Sequence, residues 1–233
     1  MKKRIFSMFA IVGLAMATTL SLSMFTACDD DDDDDDLTET VDDDDDADSS
    51  SATAGTAVDL GLSVKWATVN IGATLPADYG NYYAWGETEI KDEYTSDNSV
   101  TYYDSSLGDI SGDATYDAAT ANWGSSWRMP TKDECQELVD DCTWTWTTQE
   151  NSDGEDVNGY LVEGSNGNSI FLPAAGARDG SSLYNAGTLG HYWSSTPNAS
   201  GSNYAYYLYF ISSSRNVNFS YWYLGRSVRP VSE

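Results

Sequence analysis

The sequence predicts an α+β domain with one or two helices and many short antiparallel strands, and three observations carry that expectation. The first is one strong helix signal. Thr131 with Glu134 makes a capping box behind Pro130, and Cys135, Leu138 and Val139 follow as an apolar stripe. The second is a succession of short alternating or aromatic runs, broken by Gly, Asn and Ser, from residue 143 to the end. The third is size: residues 56–233 are enough for one domain with its own core.

The chain starts with a segment that reads as an address. Met1–Arg4 is basic, Ile5–Phe25 is mainly apolar, and small residues precede Cys28. That order describes a secretory signal, where a stop-transfer helix would show basic flanks instead. Residues 1–28 are therefore expected to be a signal peptide. Phe25-Thr26-Ala27-Cys28 resembles a bacterial lipobox, with Phe25 where Leu is usual, which implies lipidation of Cys28. An uncleaved anchor or an ordinary signal peptide are the alternatives.

Residues 29–55 hold Asp29–Asp36 and Asp42–Asp46, where like charges repel and nothing apolar offsets chain entropy. They read as a disordered Asp-rich tether. Acidic residues directly after a lipidated Cys resemble the surface-export signal of Bacteroidetes lipoproteins. The likeness implies the outer face of the outer membrane, with the lipid anchor as the sole membrane contact.

The 233-residue chain has a formal net charge of −27, and residues 49–233 alone carry eight basic against 23 acidic side chains. Nucleic acid is an unsuitable partner for that balance, since phosphate binding needs clustered Lys and Arg. An anionic membrane surface is disfavoured on the same ground. Beyond Cys28 there are only Cys135 and Cys142. A helix would separate their Cα atoms by about 10 Å, too far for a disulfide. Two buried free thiols are expected.

Within residues 56–233, Val58, Leu60, Leu62, Val64 and Trp66 keep a period of two, as in a half-buried strand, with Gly61 marking a bulge or turn. Tyr82–Trp85 is a second candidate strand, and Asp113–Ala121 a weak helix candidate. After the helix that starts at Thr131 come strand candidates at 143–148, 159–163, 169–172, 192–195, 204–211 and 217–223.

Several of these stretches together carry a resemblance. They are Ala57–Ala67, Trp127-Arg128-Met129-Pro130-Thr131-Lys132-Asp133-Glu134, Cys142–Trp146, Phe171–Gly176, Tyr192–Ser195 and Ser227–Val231. In order and spacing they look like the Fibrobacter succinogenes major paralogous domain, over about residues 57–232. That family is similar to the formylglycine-generating-enzyme branch of the C-type lectin-like fold. The resemblance implies a C-type lectin-like domain over residues 56–233, its ends close together and its ligand-facing surface built by C-terminal strands and loops.

Catalytic chemistry finds little support. The oxidase of that fold branch uses paired cysteines near its C-terminus, and no Cys follows Cys142. Gly124-Ser125-Ser126-Trp127 is not a nucleophile elbow, and the single His191 gives little scope for a triad. Glu87 with Glu89, or Asp140 with Asp141, could serve glycoside chemistry, but an acidic domain accounts for them as surface carboxylates. Asn151–Asp156 resembles the start of a calcium loop without its late bidentate Glu, and a polar hairpin turn explains it. No catalytic residue, metal or cofactor is expected.

The informative stretch is Leu183–Arg226, which holds eight of the 16 Tyr together with Trp193 and Trp222 among Ser, Asn and Gly. That is the composition of a recognition surface. Core and cross-strand pairing is the competing explanation. In Tyr206–Phe210, Leu208 and Phe210 mark an inner face, which sends Tyr207 and Tyr209 outward. Ser220–Leu224 cannot bury five successive side chains. The segment also resembles the variable regions of diversity-generating retroelements, in which Asn codons become Tyr, Ser, Phe, Ile or Leu by adenine replacement. An ordinary, non-diversified paralogue is the alternative.

The expected anchors are Tyr207, Tyr209, Tyr221, Trp222, Tyr223 and Arg226, surrounded by Ile211, Ser213, Arg215, Asn218 and Ser220. The functional expectation is a lipid-anchored, surface-displayed, adhesin-like binding domain for a protein or glycan outside the cell. A glycan-active enzyme and a non-binding structural envelope lipoprotein are the alternatives.

Overall fold

The computed structural model of the protein describes residues 54–104, 106–199 and 203–233. The expected signal peptide, the Cys28 lipidation site and nearly all of the tether lie outside the described residues. Within them the elements run β1 (Ala57–Val58), β2 (Lys65–Ala67), α1 (Ala118–Trp123), α2 (Lys132–Asp141), β3 (Thr143–Glu150), β4 (Asp156–Glu163), β5 (Ser169–Pro173), β6 (Ala177–Asp179), β7 (Ser182–Tyr184), β8 (Gly190–Pro197), β9 (Tyr204–Ile211), β10 (Ser214–Tyr221) and β11 (Val231–Ser232). The fold is α+β. Its ladders are antiparallel and form four small sheets, ordered β1-β2-β11, β3-β4-β5, β6-β7 and β10-β9-β8.

α2 starts where the capping box placed it. The Thr131 hydroxyl accepts from the Glu134 N–H at 3.2 Å, and the Glu134 carboxylate accepts from the Thr131 N–H at 2.7 Å. Arg128 grips the same carboxylate through both Nη atoms at 2.8 and 2.6 Å, and adds Glu233 at 2.8 Å. Helix start and C-terminus are thereby tied to one guanidinium. Cys135 and Leu138 are buried, Val139 is half-buried, and Cys135 and Cys142 are free buried thiols.

α1 begins later than its composition suggested, because the Asp117 side chain sets its start. That buried carboxylate accepts four backbone N–H groups, from Gly112, Ala119, Thr120 and Met129, at 2.8 to 3.1 Å.

The expected strand over Val58–Trp66 is instead two short strands joined by bends. Gly61 sits at φ 77°, and its N–H donates to Asp59 Oδ1 at 2.7 Å. Leu60, Val64 and Trp66 are buried all the same, so the alternation reported burial correctly and extension wrongly. Tyr82–Trp85 is not a strand either, and only Tyr83 bridges, to Arg226. Asn151–Glu155 forms the β3–β4 turn, with Asn151 Oδ1 accepting from the Asp153 and Glu155 N–H groups. The ends of the domain meet across β2, where Trp66 pairs with Val58 on one side and Val231 on the other.

Two apolar clusters lie against opposite faces of the β10-β9-β8 sheet. Tyr192, Leu208 and Phe210 join Trp66, Leu138 and Val162 in one cluster. Trp193, Ala205 and Tyr207 join Trp85, Met129 and Trp222 in the other. Gly190 makes room for the first, since a Cβ there would lie 2.0 Å from the Phe210 ring.

Candidate ligand-binding surface

β9 and β10 form a hairpin in which Leu208 faces Val217, Tyr206 faces Phe219 and Tyr204 faces Tyr221. The period of two sorted the β9 residues into faces correctly, but neither face of this middle strand is left open over its central residues. Tyr207, expected outward, is only 7% exposed because the second cluster covers its side of the sheet. Trp222 is buried too, its ring 4.4 Å from that of Trp85. Arg226 is 3% exposed, its guanidinium held 3.8 Å from the Tyr207 ring centre and 4.8 Å from that of Trp193. These three residues are therefore corrected from surface anchors to parts of the core.

The electrostatics around Arg226 are unusual. Its Nε and Nη1 are buried without a hydrogen-bond partner, and burial lowers its pKa to about 10. His191 stands alongside, its ring 5.3 Å from Tyr207 and 5.5 Å from Tyr209, with both ring nitrogens buried and unpartnered. Burial first, and the Arg226 charge second, hold the His191 pKa down to about 3. Its imidazole is neutral at physiological pH. Arg229 is buried as well but fully engaged, donating to Asn70 Oδ1 and to the carbonyls of Ala67 and Phe171 at 2.8 to 3.0 Å.

Of the other expected anchors, Ser213, Arg215, Asn218 and Tyr221 are exposed, while Tyr209, Ile211, Ser220 and Tyr223 are half-buried. They do not form one patch. Arg215 and Tyr221 share the α2 side of the hairpin, and Asn218 and Ser220 share the opposite side with Tyr209 and Ile211. Arg215 lies 5.6 Å over Trp144 of β3.

What the structure does assemble is a chain of seven aromatic rings beyond the N-terminal end of α2. Tyr103 meets Tyr102 at 4.9 Å, and Tyr102 meets Tyr223 at 5.3 Å. Tyr223 then stacks on Tyr221 at 5.6 Å, and Tyr221 meets Tyr204 at a tilt, 4.4 Å away. Phe219 follows at 5.8 Å from Tyr204, then Tyr206 at 6.2 Å from Phe219, with Lys132 Nζ 4.8 Å above the Tyr206 ring. Tyr103 is 72%, Phe219 50% and Tyr221 39% exposed. A bond with the Tyr221 hydroxyl, then burial and the neighbouring phenols, raise the Tyr204 pKa to about 12.

Sequence reasoning named Tyr221 and Tyr223 but missed the other five rings. Cross-strand register would have supplied Tyr204, Tyr206 and Phe219. Tyr102 and Tyr103 come from a distant loop that no local pattern places here.

Concave sites lie elsewhere. A surface hollow of about 440 Å³ runs along residues 54–56, Thr68, Val69 and 72–74. Another of about 260 Å³ holds Tyr82, Tyr94, Lys91 and Arg178, with Lys91 neutralised by Glu87 at 2.6 Å. Among the described residues, no group of three or more His, Cys, Asp and Glu side chains could hold a metal ion. None of their helices is long and apolar enough to cross a membrane.

Residues 143–231, from β3 into β11 and including the β9–β10 hairpin, match a family described as a domain of unknown function (DUF8237). No curated protein and no solved structure matches the chain.

Proposed function

We propose that this protein is a lipid-anchored, surface-displayed binding domain of C-type lectin-like fold that recognises an extracellular ligand through the aromatic face of its β9–β10 hairpin. The observation that carries the reading is the ring chain from Tyr103 to Tyr206, in which Tyr103, Phe219 and Tyr221 are exposed and the other four rings half-buried. Water contact with so many adjacent apolar rings is unfavourable, and such patches on monomeric proteins usually mark a contact surface. Tyr in that position supplies contact area at small entropic cost.

The lectin-like assignment draws on the resemblance of residues 57–232 and on the closure of the domain ends across β2. The basic and apolar start, Cys28 and the acidic tract support an anchor followed by a spacer. Diversification of the C-terminal segment belongs to the same reading.

The test is a binding screen of the full chain against printed glycans and purified extracellular proteins. Wild type is compared with a Tyr103/Phe219/Tyr221→Ser variant, with Trp222 kept intact. Binding that disappears in a variant with an unchanged melting temperature supports the proposal. Binding indifferent to those three positions, or turnover of a printed glycan, refutes it.

A further inference from the structure

The ring chain discriminates between ligand classes, given the binding-domain reading on which this inference rests. A sugar ring binds an aromatic side chain by laying its C–H groups on an open π face. Several rings of this chain already have neighbours against them. Tyr221 stacks on Tyr223, 5.6 Å away at 21°, and Tyr204 lies tilted against it, 4.4 Å away at 34°. Tyr102 meets Tyr223 nearly edge-on at 77°, and Lys132 already occupies a face of Tyr206. The tyrosine hydroxyl groups accept hydrogen bonds, which suits a surface that supplies donors and cations.

The rim points the same way. Asp104 follows Tyr103 directly, and Asp133 follows Lys132. Asp109 accepts from the Thr196 hydroxyl at 2.7 Å, and that hydroxyl in turn accepts from the Lys132 N–H at 3.0 Å. Asp179 lies close enough to Tyr223 to raise the pKa of its hydroxyl, after burial. Carboxylates therefore accompany both ends of the ring chain, Asp104 and Asp179 beside Tyr103 and Tyr223, and Asp109 and Asp133 beside Lys132, whose charge already rests on Tyr206. Beyond them the whole of residues 49–233 is strongly acidic. Such a field speeds the approach of a cationic surface and repels an acidic one.

We infer that the partner of this surface is a protein presenting Arg and Lys side chains, and not a stacked glycan. A guanidinium fits the arrangement because it needs no open ring face: its N–H groups donate to carboxylates and to phenol oxygens.

The experiment uses the full chain on two printed arrays, one of purified extracellular proteins of known isoelectric point and one of glycans. Tyr103→Ser and Tyr221→Ser are run beside wild type. Both positions are exposed and keep the charge of the acidic tract, so attraction to that tract alone is unchanged in the variants. The expected result is capture by basic proteins, weakened by added salt and weakened at least about tenfold by either substitution. Glycan binding that the same substitutions abolish overturns the inference and leaves the binding-domain reading standing. So does protein capture without a basic preference, or capture indifferent to both tyrosines. Silence on both arrays takes down the inference and the reading together.

Discussion

Acidification from about pH 7 to about pH 5 should destabilise this protein through one imidazole, and the size of the loss follows from where His191 sits. Tyr207 and Tyr209 enclose its ring, Arg226 lies beyond Tyr207, and neither ring nitrogen has a partner. The folded pKa is about 3 against an ordinary value of 6.5. A depressed value means that the unfolded chain takes up a proton which the native protein refuses. The contribution is therefore intact above pH 6.5 and is lost as the pH falls from there toward 3. Each unit of pH below 6.5 removes about 1.4 kcal/mol, hence about 2 kcal/mol by pH 5. The assay is urea unfolding at a series of pH values for wild type and His191→Phe, a shape-similar change that sacrifices no hydrogen bond. Carboxylates held low, such as Asp78 and Glu134, titrate alike in both proteins and cancel. The wild-type curve should fall about 2 kcal/mol further than the variant's between those limits. Parallel curves would refute the claim that the nitrogens are dry and unpartnered.

Other outcomes follow from the packing around this hairpin and the helices. Trp222→Ala removes the ring that packs on Trp85 and should cost about 3–5 kcal/mol in denaturant unfolding, as for other large core truncations. Asp117→Ala strands four N–H groups, three of them buried, and should cost about 3 kcal/mol, with α1 losing amide-exchange protection ahead of α2. Arg226→Met replaces a buried cation that has two unpartnered nitrogens. It should be neutral or stabilising by about 1–3 kcal/mol, and a large loss of stability would show that the guanidinium is satisfied. Tyr221→Ser should shift stability by less than about 1 kcal/mol.

Much of the fold is legible in the residues where a local signal is also the physical cause. The Thr131–Glu134 capping box marks the start of α2 because both hydrogen bonds are local, and the bounds of β9 coincide with the aromatic run Tyr204–Ile211. Strands of two or three residues such as β6, β7 and β11 carry too few side chains to show a period. Their pairing is set by partners far along the chain. The error at Tyr207 has a more general cause. Alternation separates two faces of a strand without saying what covers each, and a central strand between two clusters has no solvent face over its middle. For the same reason Arg226, with no carboxylate to betray it in sequence, reads as a surface cation. Tyr102 and Tyr103 reach the hairpin by a long-range fold-back that no window of sequence contains.

That two-sided burial constrains how the C-terminal segment could vary. An Asn codon rewritten at its adenines yields Tyr, Ser, Phe, Ile or Leu, and each must fit where it falls. At Asn218, Phe219, Ser220 and Tyr221 the side chains are exposed or half-exposed, so any of those residues is accommodated at small cost. At Tyr207 the same change is made inside the cluster that contains Trp193 and beneath the Arg226 guanidinium. Ser there would leave a cavity and an uncovered cation, a loss of about 3 kcal/mol or more. A diversified segment should therefore vary at 218–221 while codons 207 and 222 stay fixed. Sequencing the DNA beside the gene tests this. A near-copy that differs at adenines in codons 218–221 and agrees at 207 and 222 fits the packing. Differences concentrated at 207 and 222 would mean that the buried cluster is not what holds this hairpin in place.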